Sequence, residues 1–318
     1  MAGLNVSFCF FLAILIVCEA TRRLSKRFLP TILHSSLIAE LACAFQLCSC
    51  CFELRMLADI GPWGGGFGMD VTMTLLFLLF LIHGVTFGGA SANPVVSLQE
   101  FLLLEASFRA TVLKLLAQFA GTELARASSK YFLSFELTEL HMIQNMMAID
   151  CSSSNQTSVY HGSFVEGVCA ALFCFVIMRF QYSHFLYRIP VMALTVTTLA
   201  YTAGSYTAAF FNPALAYSVT FHCSGNTTQE YMIVYWLGPF VGMLVALFLY
   251  NGKIPRLFQK NMLYSEKAKY KIPKGKSVQG SADSKSKTQQ NVSGKNNSTM
   301  PESASTKSES VKKAEKCE

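Results

Sequence analysis

The chain has 318 residues, 52% of them hydrophobic and 14% charged, with a formal net charge of +7. A soluble domain of this length carries nearer a quarter charged residues, so the composition excludes an ordinary water-soluble enzyme. The lysines gather after Asn251 among Ser, Gln, Asn and Gly, a mixture that cannot bury a core and lacks the aromatic interleaving of a nucleic-acid face. Residues 252–318 therefore read as a disordered basic tail, and what precedes them as a polytopic membrane domain.

At the N-terminus, Leu4 to Cys18 is apolar but short, and Arg22, Arg23, Lys26 and Arg27 follow. One reading is a cleaved signal with Cys18-Glu19-Ala20 as its small-residue site. The other is a retained extra helix over 1–30 with its basic flank in the cytosol, and the lack of positive charge in Met1 to Asn5 favours it. The next apolar stretches predict helices at 32–57, 70–90, 108–133, 162–181, 189–203 and 231–250, to be set against the roughly 20 residues that cross a bilayer. Two shorter pieces, 94–104 and 213–222, start at the prolines of Asn93-Pro94-Val95 and Asn212-Pro213-Ala214. Proline is pre-set for the first position of a helix, and these pieces are too short to span, so they suit half-helices that dip in and meet end to end.

The chain then divides into a first repeat (31–135), an extracytosolic loop (136–161) and a second repeat (162–251). Each repeat reads helix, helix, half-helix, helix, with Glu40 ahead of Asn93 and Glu166 ahead of Asn212. Three crossings per repeat is an odd number, so the second repeat is inverted and the two Asn-Pro interruptions meet near the midplane. With Arg22 to Arg27 cytosolic, the other basic clusters and the tail fall on the same side. The sequons at Asn155 and Asn226 fall opposite as glycosylation acceptors. Cys43, Cys48, Cys50 and Cys51 crowd one apolar segment as buried small hydrophobes, whereas Cys151 and Cys223 lie in extracytosolic loops and are expected to form a disulfide. Met142, Met146 and Met147 have helical spacing suited to packing. No nucleophile–base pair, metal-ligand spacing or dinucleotide loop is found, so no catalytic residue, metal or cofactor is expected.

Over about 32–250 these residues resemble the aquaporin family (major intrinsic proteins), and within it the divergent intracellular branch. The motifs that carry this are Gly89-Ala90-Ser91-Ala92-Asn93-Pro94, Phe211-Asn212-Pro213-Ala214, Ala117-Gln118-Phe119-Ala120-Gly121 and the run Tyr235 to Gly242. The resemblance implies an all-α, right-handed bundle of six transmembrane helices plus two half-helices in inverted repeat, the N-terminal helix being additional. It implies a passive channel for water, and for small neutral solutes such as glycerol or hydrogen peroxide. It also implies a homotetramer with one pore per subunit, in the endoplasmic reticulum or another intracellular membrane. Asn93 and Asn212 would donate to the passing oxygen, and Glu40, Gln118 and Glu166 would hold the two loops. Two departures stand out. Val95 occupies a position that is usually Ala, and Leu215 stands where the family carries the arginine of its narrow selectivity filter; the filter histidine falls near Ala200. Leucine offers neither charge nor donor, so the outer constriction is expected to be less polar. The alternative is an aquaporin-fold scaffold that does not conduct.

Overall fold

Each apolar run of the sequence forms a helix, and the polar interruptions fall at helix ends. A computed structural model describes residues 2–29, 31–60, 68–147, 152–225 and 227–251; the expected tail, Cys151 and Asn226 lie outside them. The long helices are α1 (Ala2–Phe28), α2 (Ile32–Ile60), α3 (Met69–Thr86), α5 (Phe108–Leu133), α7 (Val159–Phe180) and α8 (Phe185–Thr207). A last one runs from α10 (Thr228–Tyr231) through a π-helical stretch, Met232–Leu237, into α11 (Gly238–Asn251). Between them lie α4 (Pro94–Leu102), α6 (Glu139–Met147) and α9 (Pro213–Ala216), which continues as a π-helical segment, Tyr217–Phe221. The described residues contain no strand, only an isolated bridge between Ser152 and Ser224.

Five of these helices, α1, α2, α3, α7 and the stretch Thr228–Tyr250, are long and apolar enough to cross a bilayer. At 26 and 23 residues, α5 and α8 have the same reach with more polar surfaces. Two of the basic residues of α5 are paired: Lys114 Nζ lies 2.7 Å from Glu100 and Arg126 lies 2.7 Å from Glu123. The outer faces expose large apolar side chains, among them Leu78 on α3, Leu116 on α5, Leu172 on α7 and Val245 on α11. So much exposed apolar surface is stable only against lipid.

The predicted elements recur with two differences. Helix α8 starts at Phe185, before Pro190, because the His184 side chain accepts from Leu186 N and caps it. Helix α6 lies inside the segment read as a loop over 136–161. Thr138 Oγ1 accepts from His141 N at 3.2 Å and starts that helix.

Two close crossings hold the repeats. A Cβ on Gly121 of α5 would sit 2.4 Å from Leu41 O of α2, and one on Gly242 of α11 would sit 1.9 Å from Gly167 O of α7. Only glycine allows backbones so near, and dispersion then acts where lipid removes the hydrophobic drive. The first and last long helices of each repeat are thus paired in the same way. Helix α1 stands outside the repeats but is wired into them. It runs antiparallel to α2, since Ser7 near its start donates to Glu53 while Arg22 near its end donates to Gln46 at 2.9 Å. His141 Nε2 of α6 lies 3.1 Å from the same Glu53, and Gln46 passes the chain on to Thr86 of α3 at 3.1 Å. Ser7, Arg22, Gln46, Glu53 and His141 are all buried.

Glu53→Ala is expected to destabilise the protein by about 3 kcal/mol, because it strands the His141 ring and the Ser7 hydroxyl in an apolar seam. Thermal unfolding in detergent measures this; an unchanged midpoint would mean that α1 is held by apolar contact alone.

Candidate functional site

The two Asn-Pro steps begin helices for the local reason proline and asparagine dictate. Asn93 (φ −145, ψ 117) and Asn212 (φ −137, ψ 103) are extended N-caps, each followed by proline at the first helical position, where a missing N–H costs nothing. Each cap oxygen accepts from its own half-helix: Asn93 Oδ1 from Val95 N at 2.9 Å, and Asn212 Oδ1 from Ala214 N and Leu215 N at 3.1 and 3.2 Å. The amide nitrogens reach across to the opposite loop. Asn93 Nδ2 donates to Phe211 O at 3.2 Å and Asn212 Nδ2 to Ala92 O at 2.8 Å. The residues whose carbonyls accept, Ala92 (φ 49) and Phe211 (φ 34), are both left-handed. Such backbone costs about 1–3 kcal/mol for a non-glycine residue and persists only where surroundings over-determine it.

Those surroundings are two buried carboxylates. Glu40 accepts from Ser91 N at 3.1 Å, Ala92 N at 3.0 Å and Gln118 Nε2 at 2.9 Å, with Lys114 Nζ at 3.8 Å. Glu166 accepts from Phe210 N at 3.0 Å, Phe211 N at 2.5 Å and Thr207 Oγ1 at 2.6 Å. Gln118 also reaches Ser97 Oγ at 2.9 Å. Aromatic residues of the last helix brace the second loop: Tyr231 Oη donates to Pro213 O at 2.8 Å and Tyr235 Oη to Thr207 O at 3.2 Å.

Both Asn side chains face one cavity of about 870 Å³. Its lining includes Gly89–Ser91 and Ala208–Phe211 of the two loops and the apolar Phe80, Val96 and Val196. Each Asn amide spends one of its two N–H donors on the opposite loop, which leaves the second for a molecule in the cavity. Leu215 lines the cavity, as does Ala200 on α8. Val95 does not: it is buried, packed with Leu102, Cys174 and Met243. The change from alanine there fills a helix contact rather than narrowing the cavity.

The structure also adds residues that sequence reading passed over. His83 lines the cavity, stacked on Phe87 at 5.0 Å, with neither ring nitrogen hydrogen-bonded. Arg55 of α2 lies at the cavity end that also holds Met69 and Ser154. A basic residue near the end of an apolar helix was the only signal for Arg55, and nothing local marked His83. Loop residues 152–158 fold back onto the bundle. Ser154 N donates to Thr220 Oγ1 at 2.8 Å and Ser153 N to Ser224 O at 3.0 Å, and Cys223 beside them is disulfide-bonded. Asn155 Nδ2 donates to Glu230 at 2.8 Å and to Thr157 O at 3.0 Å. A glycan on that nitrogen would replace one of these bonds, so it would have to be attached before the loop folds.

Comparison with known proteins gives one answer. The family model for major intrinsic proteins matches residues 66–250. The chain is 54% identical to aquaporin-12 of Mus musculus, over 90% of this chain and 98% of that protein. It is 49% identical to the putative aquaporin-12B of Homo sapiens, over 89% of this chain and 92% of that one. Among solved structures, the aquaglyceroporin from Plasmodium falciparum aligns with a TM-score of 0.54 at 16% identity, over 70% of this chain and 97% of that one. This last likeness speaks for the fold alone.

Glu166→Gln keeps the size of the side chain but turns a donor toward a backbone N–H that needs an acceptor. The expected loss is about 2–4 kcal/mol of stability, read as a lower unfolding midpoint in detergent. A midpoint equal to the parent's would show that the second loop holds its left-handed backbone without the carboxylate.

Proposed function

Because the chain belongs to the major intrinsic protein (aquaporin) family, whose members are membrane channels rather than enzymes, we propose that it is a passive pore for water and small neutral solutes such as glycerol or hydrogen peroxide. The observation that carries this is the cavity lined by both Asn93 and Asn212, each with one amide donor to spare. A water molecule crossing an apolar channel must exchange its bulk partners for such fixed ones. The N-terminal ends of α4 and α9 both start at these asparagines. Their positive dipole ends disfavour a cation, and with it a proton, at the same point.

Leu215 sets the polarity of the outer passage. It offers no donor and no charge, which suits solutes larger and less polar than water. The same residue supports the second reading, a non-conducting scaffold. It is 8% exposed and packs with Phe210 and Val219, and a hydrophobic constriction can close by dewetting.

Further parts of the reading rest on the same frame. The N-terminal helix is retained, since cleavage after Ala20 would take Ser7 from Glu53. Cys151 pairs with Cys223, an assignment supported by the bridge between their neighbours Ser152 and Ser224. Asn226 is a glycosylation acceptor on that same outer side. A homotetramer in the endoplasmic reticulum or another intracellular membrane follows from the resemblance to the intracellular branch.

Stopped-flow light scattering on proteoliposomes under a sucrose gradient decides between pore and scaffold. The pore reading expects shrinkage at least about tenfold faster than in empty vesicles, lost in Asn212→Asp, whose carboxylate has no N–H to donate. Rates equal to empty vesicles from folded protein would establish the scaffold. Leu215→Arg is expected to lower glycerol flux relative to water; an unchanged solute profile would remove Leu215 from the passage.

A further inference from the structure

The two ends of the cavity differ in the charges they present. Among the described residues, the charged side chains that line it fall in two groups, Glu100, Glu105 and Arg188 in one and Arg55 with Asp59 in the other. The lining also includes the apolar Leu54, Cys51, Leu215 and Val219, the last three packed in one cluster, and Asn212. A solute entering beside Arg55 leaves bulk water and meets that apolar cluster.

The guanidinium is held in place from two directions. Nε donates to Asp59 Oδ2 at 3.2 Å one turn along α2, and Nη1 donates to Ser154 Oγ at 2.7 Å. Ser154 is itself buried and anchored to Thr220 on the second half-helix, so the outer loop fixes the arginine relative to the pore. Asp59 is 60% exposed, and an exposed partner of that kind offsets little of the charge. A guanidinium has five N–H donors. Two are spent on Asp59 and Ser154, and three remain on a side chain that is 35% exposed and lines the cavity.

Building on the channel reading above, we propose that Arg55 is the outer binding station for hydroxylated neutral solutes. Its free N–H groups donate to the solute's oxygens as water is stripped away and hand the solute on past Leu215 to Asn212. The station lies on α2, away from either Asn-Pro loop, and needs Ser154 to aim it. A purely steric arginine would act with the opposite sign, because its removal would widen the mouth and speed larger solutes.

The test uses the full chain in proteoliposomes, with water flux under sucrose and uptake of glycerol and hydrogen peroxide measured side by side. Arg55→Leu and Arg55→Gln are expected to lower the glycerol-to-water flux ratio about fivefold, the worth of one net hydrogen bond. Arg55→Lys, which keeps donors on a flexible stem, should recover part of that ratio. Ser154→Ala, which frees the guanidinium without removing it, should lower the ratio less than Arg55→Leu. A ratio that is unchanged or raised in Arg55→Leu and Arg55→Gln overturns the proposal, as does a parent protein that passes water but neither solute. A parent that passes no water overturns the channel reading instead. Should Arg55→Leu fail to fold, the Gln and Lys variants carry the comparison, since both can keep the bond to Ser154.

Discussion

A bilayer interior offers no water to a backbone N–H or carbonyl, and an unpaired one costs several kcal/mol there. The chain nevertheless breaks two helices at that depth and must pair every group it frees. Proline removes one donor at each break and the asparagine oxygen takes the next. Glu40 and Glu166 each take two N–H groups from the residues ahead of the break. The carbonyls of Ala92 and Phe211 are turned by left-handed backbone toward the asparagine of the other half. Each asparagine amide is left with one donor for the cavity.

The two halves solve the problem unequally. Glu40 has a lysine near it and a glutamine that ties it to Ser97. Glu166 relies on a threonine hydroxyl and two backbone groups alone, and its loop is braced from outside by Tyr231 and Tyr235. The half-helices differ in the same way. The first runs as regular α-helix from Pro94 to Leu102, while the second gives way to π-helix at Tyr217. A π segment re-aims side chains and gathers at functional sites; here it contains Thr220, which receives the outer loop. The second half-helix is therefore tied to the loop that positions Arg55.

The N-terminal helix follows another logic. It is not needed to complete either repeat, yet its polar residues are partners for buried groups of α2. Glu53 bonds to one residue of α1 and one of α6, so these three helices share a single polar knot. Buried polar knots of this kind specify which faces meet more than they add stability, and this one fixes the register of an otherwise greasy helix.

Much of this was written in the chain. Apolar runs and Asn-Pro steps marked helices and half-helices because spanning length and proline stereochemistry are local properties. The roles expected of Asn93, Asn212, Glu40, Gln118 and Glu166 followed from the family resemblance of the motifs, and the structure places Glu40, Gln118 and Glu166 against the two loops. The sequence could not show that Val95 faces a helix contact while Leu215 faces the cavity, since both follow an Asn-Pro step within a few residues and only packing separates them. Nor could it show α6, whose start depends on Thr138 and whose place depends on Glu53 far away. Neither Arg55 nor His83 carries a local pattern that sets it apart from other charged residues or histidines. What placed both on the cavity wall was the packing of helices distant in sequence, which no local pattern encodes.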